Sequence, residues 1–211
     1  MRRLSESGAI RSERVAAAML AVPRECFLGP ETPVERVYAD GPVLLKRDLR
    51  GDIISTISQP TMIATMLEQL DVQPGSRVLE IGTASGYNAA LLAHLAGPNG
   101  VVFSVELEAD LAAAAERSLA ETEFDNVHVV CADGRAGWPE GSPYDRVVVT
   151  AAAEQPEPAW VQQLKDGGRL VVPIGDTELC FGYEKRGGEL AELSRTPARF
   201  VRLRGTPGDT E

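Results

Sequence analysis

A chain of 211 residues, 44% hydrophobic and 25% charged, is long enough to bury a sizeable core and sits near the globular average, which excludes a mainly disordered polymer. Its 21 Lys and Arg against 31 Asp and Glu leave a net charge of −10, a poor match for phosphate backbones or anionic bilayers, so neither nucleic acid nor membrane is expected as a partner. Cys26, Cys131 and Cys180 are scattered, with no Cys-x-x-Cys or Cys/His spacing, so neither a metal site nor a disulfide framework is expected and the chain reads as cytoplasmic.

The N-terminus, Met1-Arg2-Arg3-Leu4 followed by an apolar run at 15–22, superficially resembles a signal peptide. Glu6, Arg11, Glu13 and Arg14 interrupt it and Pro23-Arg24-Glu25 makes a poor cleavage region, so an amphipathic first helix is expected. Residues 34–58 contain Gly41, Pro42 and Gly51 among short apolar runs and read as a lid or binding arm. Ser58 or Gln59 can cap a helix whose first position suits Pro60, and Ile63, Met66, Leu67 and Leu70 give that helix one apolar face.

From Asp71 the pattern alternates. Strands are expected at 77–82, 101–106, 127–131, 146–151 and 168–174, and helices at 87–95, 109–119 and 158–164. Short, almost wholly apolar strands such as Val147-Val148-Val149 suit a sheet covered on both faces, so the fold class is α/β with a doubly wound sheet. Two further strands, 179–184 and 199–203, read as a C-terminal β-hairpin. The whole of 1–211 reads as one domain, with N-terminal helices and arm at 1–71, a binding core at 72–175 and C-terminal strands at 176–211.

The segment Val78-Leu79-Glu80-Ile81-Gly82-Thr83-Ala84-Ser85-Gly86-Tyr87 runs from strand through a small-residue turn into helix, where a ligand can approach backbone amides. Its glycines lack the G-x-G-x-x-G spacing of dinucleotide sites, and Glu80 would sit badly beside a pyrophosphate. The acid suits a cationic ligand carrying an amine or sulfonium, as S-adenosylmethionine does. Glu106, twenty residues past Gly86 at the end of the next strand, is placed to accept ribose hydroxyls, and Asp133-Gly134 after the third strand to receive an adenine amino group. His94 and His128 read as packing or surface residues.

These stretches, together with Val22-Pro23-Arg24-Glu25-Cys26-Phe27, Thr56-Ile57-Ser58-Gln59-Pro60, Gly134-Arg135-Ala136-Gly137-Trp138-Pro139, Pro143-Tyr144-Asp145, Thr150-Ala151-Ala152-Ala153, Gly167-Gly168-Arg169-Leu170 and Phe200-Val201-Arg202-Leu203, resemble the protein-L-isoaspartate O-methyltransferase family from about Val22 to Gly205. The resemblance implies a Rossmann-like, seven-stranded methyltransferase sheet that uses S-adenosyl-L-methionine. It implies that Gly82, Thr83 and Gly86 hold the methionine portion, Glu106 the ribose, and Asp133 and Gly134 the adenine, with Glu80, Ser85, Leu107, Thr150, Thr56 and Ile57 also at the cofactor. Ser58 matches the family's active-site serine, flanked by Ser55, Thr56, Ile57 and Gln59 as substrate contacts; the plain alternative for Ser58 is a helix cap. The implied substrate is an isoaspartyl or aspartyl protein or peptide; the sequence does not fix the oligomeric state, and a monomer is favoured. A side-chain carboxyl with a pKa of about 4 is ionised at neutral pH, so methylation needs no general base. In the family the methyl ester then collapses spontaneously to a succinimide.

Ala84 stands where the family commonly has a second glycine, and Ile54-Ser55 where it has a glycine and a small or amide residue. Isoleucine disfavours positive φ, so the arm is expected to run differently here. The changed arm leaves open an alternative substrate, a ribosomally made natural-product precursor peptide methylated at an aspartate, whose acidic leader Lys46, Arg47 and Arg50 could steer, although a solvated charged loop is the expected reading of that cluster. A catalytically silent cofactor-binding module is a third reading, against which Ser58 and the acid set stand.

Overall fold

The computed structural model describes residues 2–29 and 31–205; Met1, Pro30 and the last six residues of the expected C-terminal region lie outside these. The N-terminal helices are α1 (Arg2–Glu6), α2 (Glu13–Ala21) and a single turn, α3 (Val34–Val37). The arm is a hairpin of β1 (Val43–Arg47) and β2 (Ile53–Ile57), followed by α4 (Pro60–Leu70). Then come β3 (Arg77–Ile81), α5 (Tyr87–Ala96), β4 (Val101–Glu106), α6 (Ala109–Glu121), β5 (Val127–Cys131) and β6 (Tyr144–Val149). Helix α7 (Pro158–Gln163), β7 (Leu164–Ile174), β8 (Leu179–Arg186) and β9 (Glu189–Pro197) complete the described chain.

The expected doubly wound sheet forms with seven strands in the order β5-β4-β3-β6-β7-β8-β9. Strands β3 to β7 are mutually parallel, and β8 and β9 return antiparallel. Period-two alternation sorts side chains between two cores. Val78, Val102, Val148 and Val171 join α2, α4 and α5 on one face. Leu79, Val147, Val149, Leu170 and Val172 join Trp160 of α7 on the other. The chain order reverses between β3 and β6, so a crevice opens outside their carboxyl ends.

Helix α4 buries Ile63, Met66, Leu67 and Leu70, as its spacing predicts. Its N-cap residue is Gln59, which makes no side-chain capping bond, so Ser58 is not the cap. The arm is more regular than expected: Asp48 Oδ1 accepts from the N–H groups of Arg50 and Asp52, each at 2.9 Å, and closes the turn between β1 and β2. Ile54 lies inside β2 and outside the positive-φ residues, so the arm accommodates it as an ordinary strand residue. The C-terminal hairpin pairs β8 with β9 rather than with 199–203. Gly187 and Gly188 supply the two positive φ angles, 59° and 89°, of a tight two-residue turn. Residues 201–203 instead run beside the end of β6, with Ala152 N–H donating to Val201 O and Leu203 N–H to Ala152 O, both at 2.8 Å.

Candidate active site

The β3–α5 turn is built on backbone geometry. Gly82, Ala84 and Gly86 have φ of 95°, 51° and 88°, so Ala84 lies in the left-handed region that favours glycine. A Cβ at Gly82 would stand 2.3 Å from Thr150 Oγ1, and that hydroxyl donates to Gly82 O at 2.7 Å. The ends of β3 and β6 are thereby locked together at the crevice. A Cβ at Gly86 would meet Ala115 and Leu119 of α6 at 3.3–3.4 Å, so this glycine lets α6 pack against the turn.

Glu106, at the end of β4, is 7% exposed. Its Oε2 accepts from Ala84 N–H at 2.8 Å and its Oε1 from Glu108 N–H at 3.0 Å. Each oxygen keeps a further lone pair, and the carboxylate lines a cleft between the arm and the C-terminal segment. One wall is the arm, at Ile54, Ser55 and Thr56, and the floor is Ile81, Gly82, Ala84, Leu107 and Thr150. The opposite wall is Val201, Arg202, Leu203 and Arg204, the segment carried back beside β6.

Of the residues expected at the cofactor or substrate, Ser55, Thr56, Gly82, Glu106, Leu107 and Thr150 therefore share this cleft. Glu80 does not reach it. Its fully buried carboxylate accepts from Asn88 Nδ2 at 2.7 Å and from Ser104 Oγ, and Ser104 meets Thr83 Oγ1 at 2.6 Å. Glu80 alternates with Val78 on the α5 face of β3, so it braces the turn from beneath. Burial is the dominant cause that pushes its pKa up to about 7, against the two hydrogen bonds that lower it. Thr83, 2% exposed, belongs to the same inward network. Ser85 Oγ accepts from Tyr87 N–H at 3.4 Å, and it lies with Gly86 outside the cleft lining.

Asp133 and Gly134 also stand off the cleft lining. Asp133 caps its own short turn, accepting from Arg135 N–H at 2.9 Å and pairing with Arg135 NH2 at 2.8 Å. Gly134 is buried because a Cβ there would lie 2.5 Å from Ile81 Cγ2, and its carbonyl accepts from Trp160 Nε1 at 2.8 Å. Ile57 is 5% exposed and packs into the core, while Ser58 and Gln59 follow it, half-buried, into α4. Among the described residues no hydrogen bond uses the Ser58 hydroxyl, but Ser58 O accepts from Arg24 NH2 at 3.0 Å. Arg24 is 1% exposed, lies 5.1 Å over the Tyr87 ring, and leaves Nε and NH1 without partners. Desolvation by that burial holds its pKa below the usual guanidinium value.

Two features of the candidate site escape the sequence reading: the Arg24–Ser58 tie and the 201–204 wall. The first had a signal in the Val22–Phe27 motif; the second depends on long-range packing. Lys46 is not a free steering charge, since its Nζ donates to Glu108 and Asp110. His94 is exposed on α5, and His128 is exposed on β5 with its ring 5.2 Å from that of Phe103.

The lining suits a ligand with hydroxyl groups to donate, such as a nucleoside. A carboxylate with open lone pairs faces a cleft whose floor has glycine at its tightest point. A sequence profile described as Protein-L-isoaspartate(D-aspartate) O-methyltransferase matches residues 1–207. The protein-L-isoaspartate O-methyltransferase of Methanopyrus kandleri is 42% identical over 213 residues, covering 99% of this chain and 91% of its own length. That of Methanocella arvoryzae is 43% identical over 188 residues, covering 89% and 96%. A solved protein-L-isoaspartate O-methyltransferase structure superposes with a TM-score of 0.85 at 36% identity, covering 98% of this chain, which spans 65% of that longer chain. A Plasmodium falciparum structure in complex with S-adenosyl-L-homocysteine shares the fold, with a TM-score of 0.81 at 24% identity, covering 96% and 95%.

Proposed function

The chain belongs to the protein-L-isoaspartate(D-aspartate) O-methyltransferase family, and from that premise we infer that it esterifies the side-branch carboxylate of L-isoaspartyl residues in proteins or peptides. S-Adenosyl-L-methionine is its cofactor, and when bound it supplies an electrophilic methyl group on a sulfonium sulfur. The observation that carries the reading is the meeting of Ser55 and Thr56 with Glu106 across one cleft, in a chain that matches the family over nearly its full length.

Glu106 would hold the ribose hydroxyls through the lone pairs its two backbone bonds leave open, while Leu107 and Thr150 flank the ring system. Gly82 keeps the floor thin where the methionine portion would pass, with Thr83, Ser85 and Gly86 shaping the turn behind it. Glu80 acts from beneath the turn, and Asp133 and Gly134 shape the adenine end through the turn that Trp160 braces. On the arm, Ser55, Thr56, Ser58 and Gln59 face the peptide, Ile57 anchors that strand in the core behind them, and the Ser58 hydroxyl orients the incoming carboxylate. The carboxylate is already ionised, so the chain needs to align it and strip its water, not deprotonate it. No lysine quenches it: Lys46 is engaged elsewhere.

Of the Lys46, Arg47 and Arg50 cluster that could steer a precursor peptide, Lys46 is paired with Glu108 and Asp110. We assign all three regions to one catalytic domain, supported by a core cluster that runs from Leu4 to Cys180. A reducing, cytoplasmic setting is supported by free Cys26, Cys131 and Cys180, and a net charge of −10 supports a protein partner over nucleic acid. Among the described residues no helix is long and apolar enough to cross a membrane. We expect a monomer in solution, which gel filtration tests directly. The deciding assay offers radiolabelled cofactor to matched isoaspartyl and aspartyl peptides. Label on the isoaspartyl peptide alone is expected; label on a cognate aspartyl peptide alone would overturn the assignment.

A further inference from the structure

Two segments far apart in the chain converge on the side chain of Glu108, which follows the cleft-lining Leu107. From β1 of the arm, Lys46 Nζ donates to Glu108 Oε2 and Asp110 Oδ1. From the C-terminal wall, Arg204 NH2 donates to Glu108 Oε1 at 2.8 Å. Glu108 in turn gives its backbone N–H to Glu106 Oε1 at 3.0 Å. The ion pairs and the carboxylate assigned to the ribose are therefore joined through one short loop.

The placement matters because the cleft is closed on both sides by elements these charges hold. Lys46 stands opposite Ser55 in the β1–β2 ladder, and Ser55 lines one wall. Arg204 itself lines the other. Both walls are thus tied by these charges to the loop after β4. Lys46 and Glu108 have side chains only 26% and 20% exposed, so water replaces their contact poorly, whereas Asp110 at 65% exposed contributes less. The Lys46 hydrogen bond is the largest cause holding the Glu108 and Asp110 carboxyls below their ordinary values, so both are ionised at neutral pH.

We propose that Lys46 and Arg204 form, through Glu108 and Asp110, a charge clasp that shuts the arm and the C-terminal segment over the cofactor cleft and sets the rate at which the bound nucleoside departs. Both are positioning residues that act through Glu108, with no part in the chemistry. The proposal rests on the cofactor site assigned above. It also gives Lys46 a role that its place in a basic run concealed: it fastens the arm instead of attracting a substrate.

The test measures S-adenosyl-L-homocysteine release from wild type, K46Q, K46R, R204Q and K46Q/R204Q by stopped-flow displacement. It is paired with hydrogen exchange of segments 53–57 and 199–205 in the ligand-free proteins. K46Q is expected to release the ligand about three- to fivefold faster and the double variant about tenfold faster, with K46R close to wild type. Raising salt from about 0.05 M to about 0.5 M should speed release from wild type and leave the double variant nearly unmoved. Exchange in both segments should quicken in the double variant without any ligand. Wild-type release rates in the double variant, or K46R releasing as fast as K46Q, would overturn the clasp, as would unchanged exchange. A wild type that does not bind the ligand would overturn the cofactor reading instead, and the exchange measurement would still judge the clasp.

Discussion

Replacing Glu80 with Gln tests whether an ionised carboxylate beneath the cofactor turn is a burden on the fold. The side chain is fully buried, and its pKa stands at about 7 against an ordinary 4.5. Between those values the folded state binds a proton that the unfolded state does not. Stability therefore falls as pH rises from about 4.5 to about 7, then levels off. At about 1.4 kcal/mol per pH unit, the loss amounts to about 3 kcal/mol, an upper figure for one buried group. Gln keeps the shape and never ionises. Its amide oxygen can accept from Asn88, and its amine can donate to Ser104, whose hydroxyl is then free to donate to Thr83. Urea unfolding at pH about 5 and about 8.5 should show E80Q gaining up to about 3 kcal/mol on wild type at the higher pH, with the difference shrinking at the lower. A difference that does not change with pH, or an E80Q protein less stable at the higher pH, would refute the reasoning.

Other outcomes follow from the cleft. Glu106→Ala removes two carboxylate oxygens from a ligand's diol and strands Ala84 N–H, so calorimetry should show S-adenosyl-L-homocysteine affinity falling about 10- to 100-fold, and unchanged affinity would remove the ribose role. Ser58→Ala should lower kcat about tenfold while that affinity stays within about twofold; a parallel fall in both would make the residue structural. Arg24→Met keeps the packed stem but cuts the tie to Ser58 O, so kcat should drop about tenfold while Tm holds or rises, because Nε and NH1 are buried without partners. An unaltered kcat would show that the tie does not position Ser58.

The parallel core and the cofactor turn were legible because their signals are local. Apolar triplets such as Val147-Val148-Val149 mark covered strands, and Gly82 and Gly86 bracket a turn whose positive φ angles few residues tolerate. Glu80 shows where such reasoning stops. Its position in the motif suggested a ligand contact, yet its alternation with Val78 aims it at α5, and only the packing of Asn88 and Ser104 around it reveals the brace. Asp133 looked available until its own turn claimed it. Strand β9 was missed because its sequence, from Glu189 to Pro197, is polar enough to pass for a loop, and Gly187-Gly188 was the better guide to the hairpin. The 201–204 wall is set by pairing with Ala152, a contact across fifty residues that no local pattern encodes.

The character of β9 bears on the company this enzyme keeps. A loosely folded segment of a polypeptide client can add itself to any open β-ladder. The outermost strand here presents Glu189, Glu192 and Arg195 and stops at Pro197, a border that deters such additions. A catalyst so edged can handle sticky clients repeatedly and let each one go.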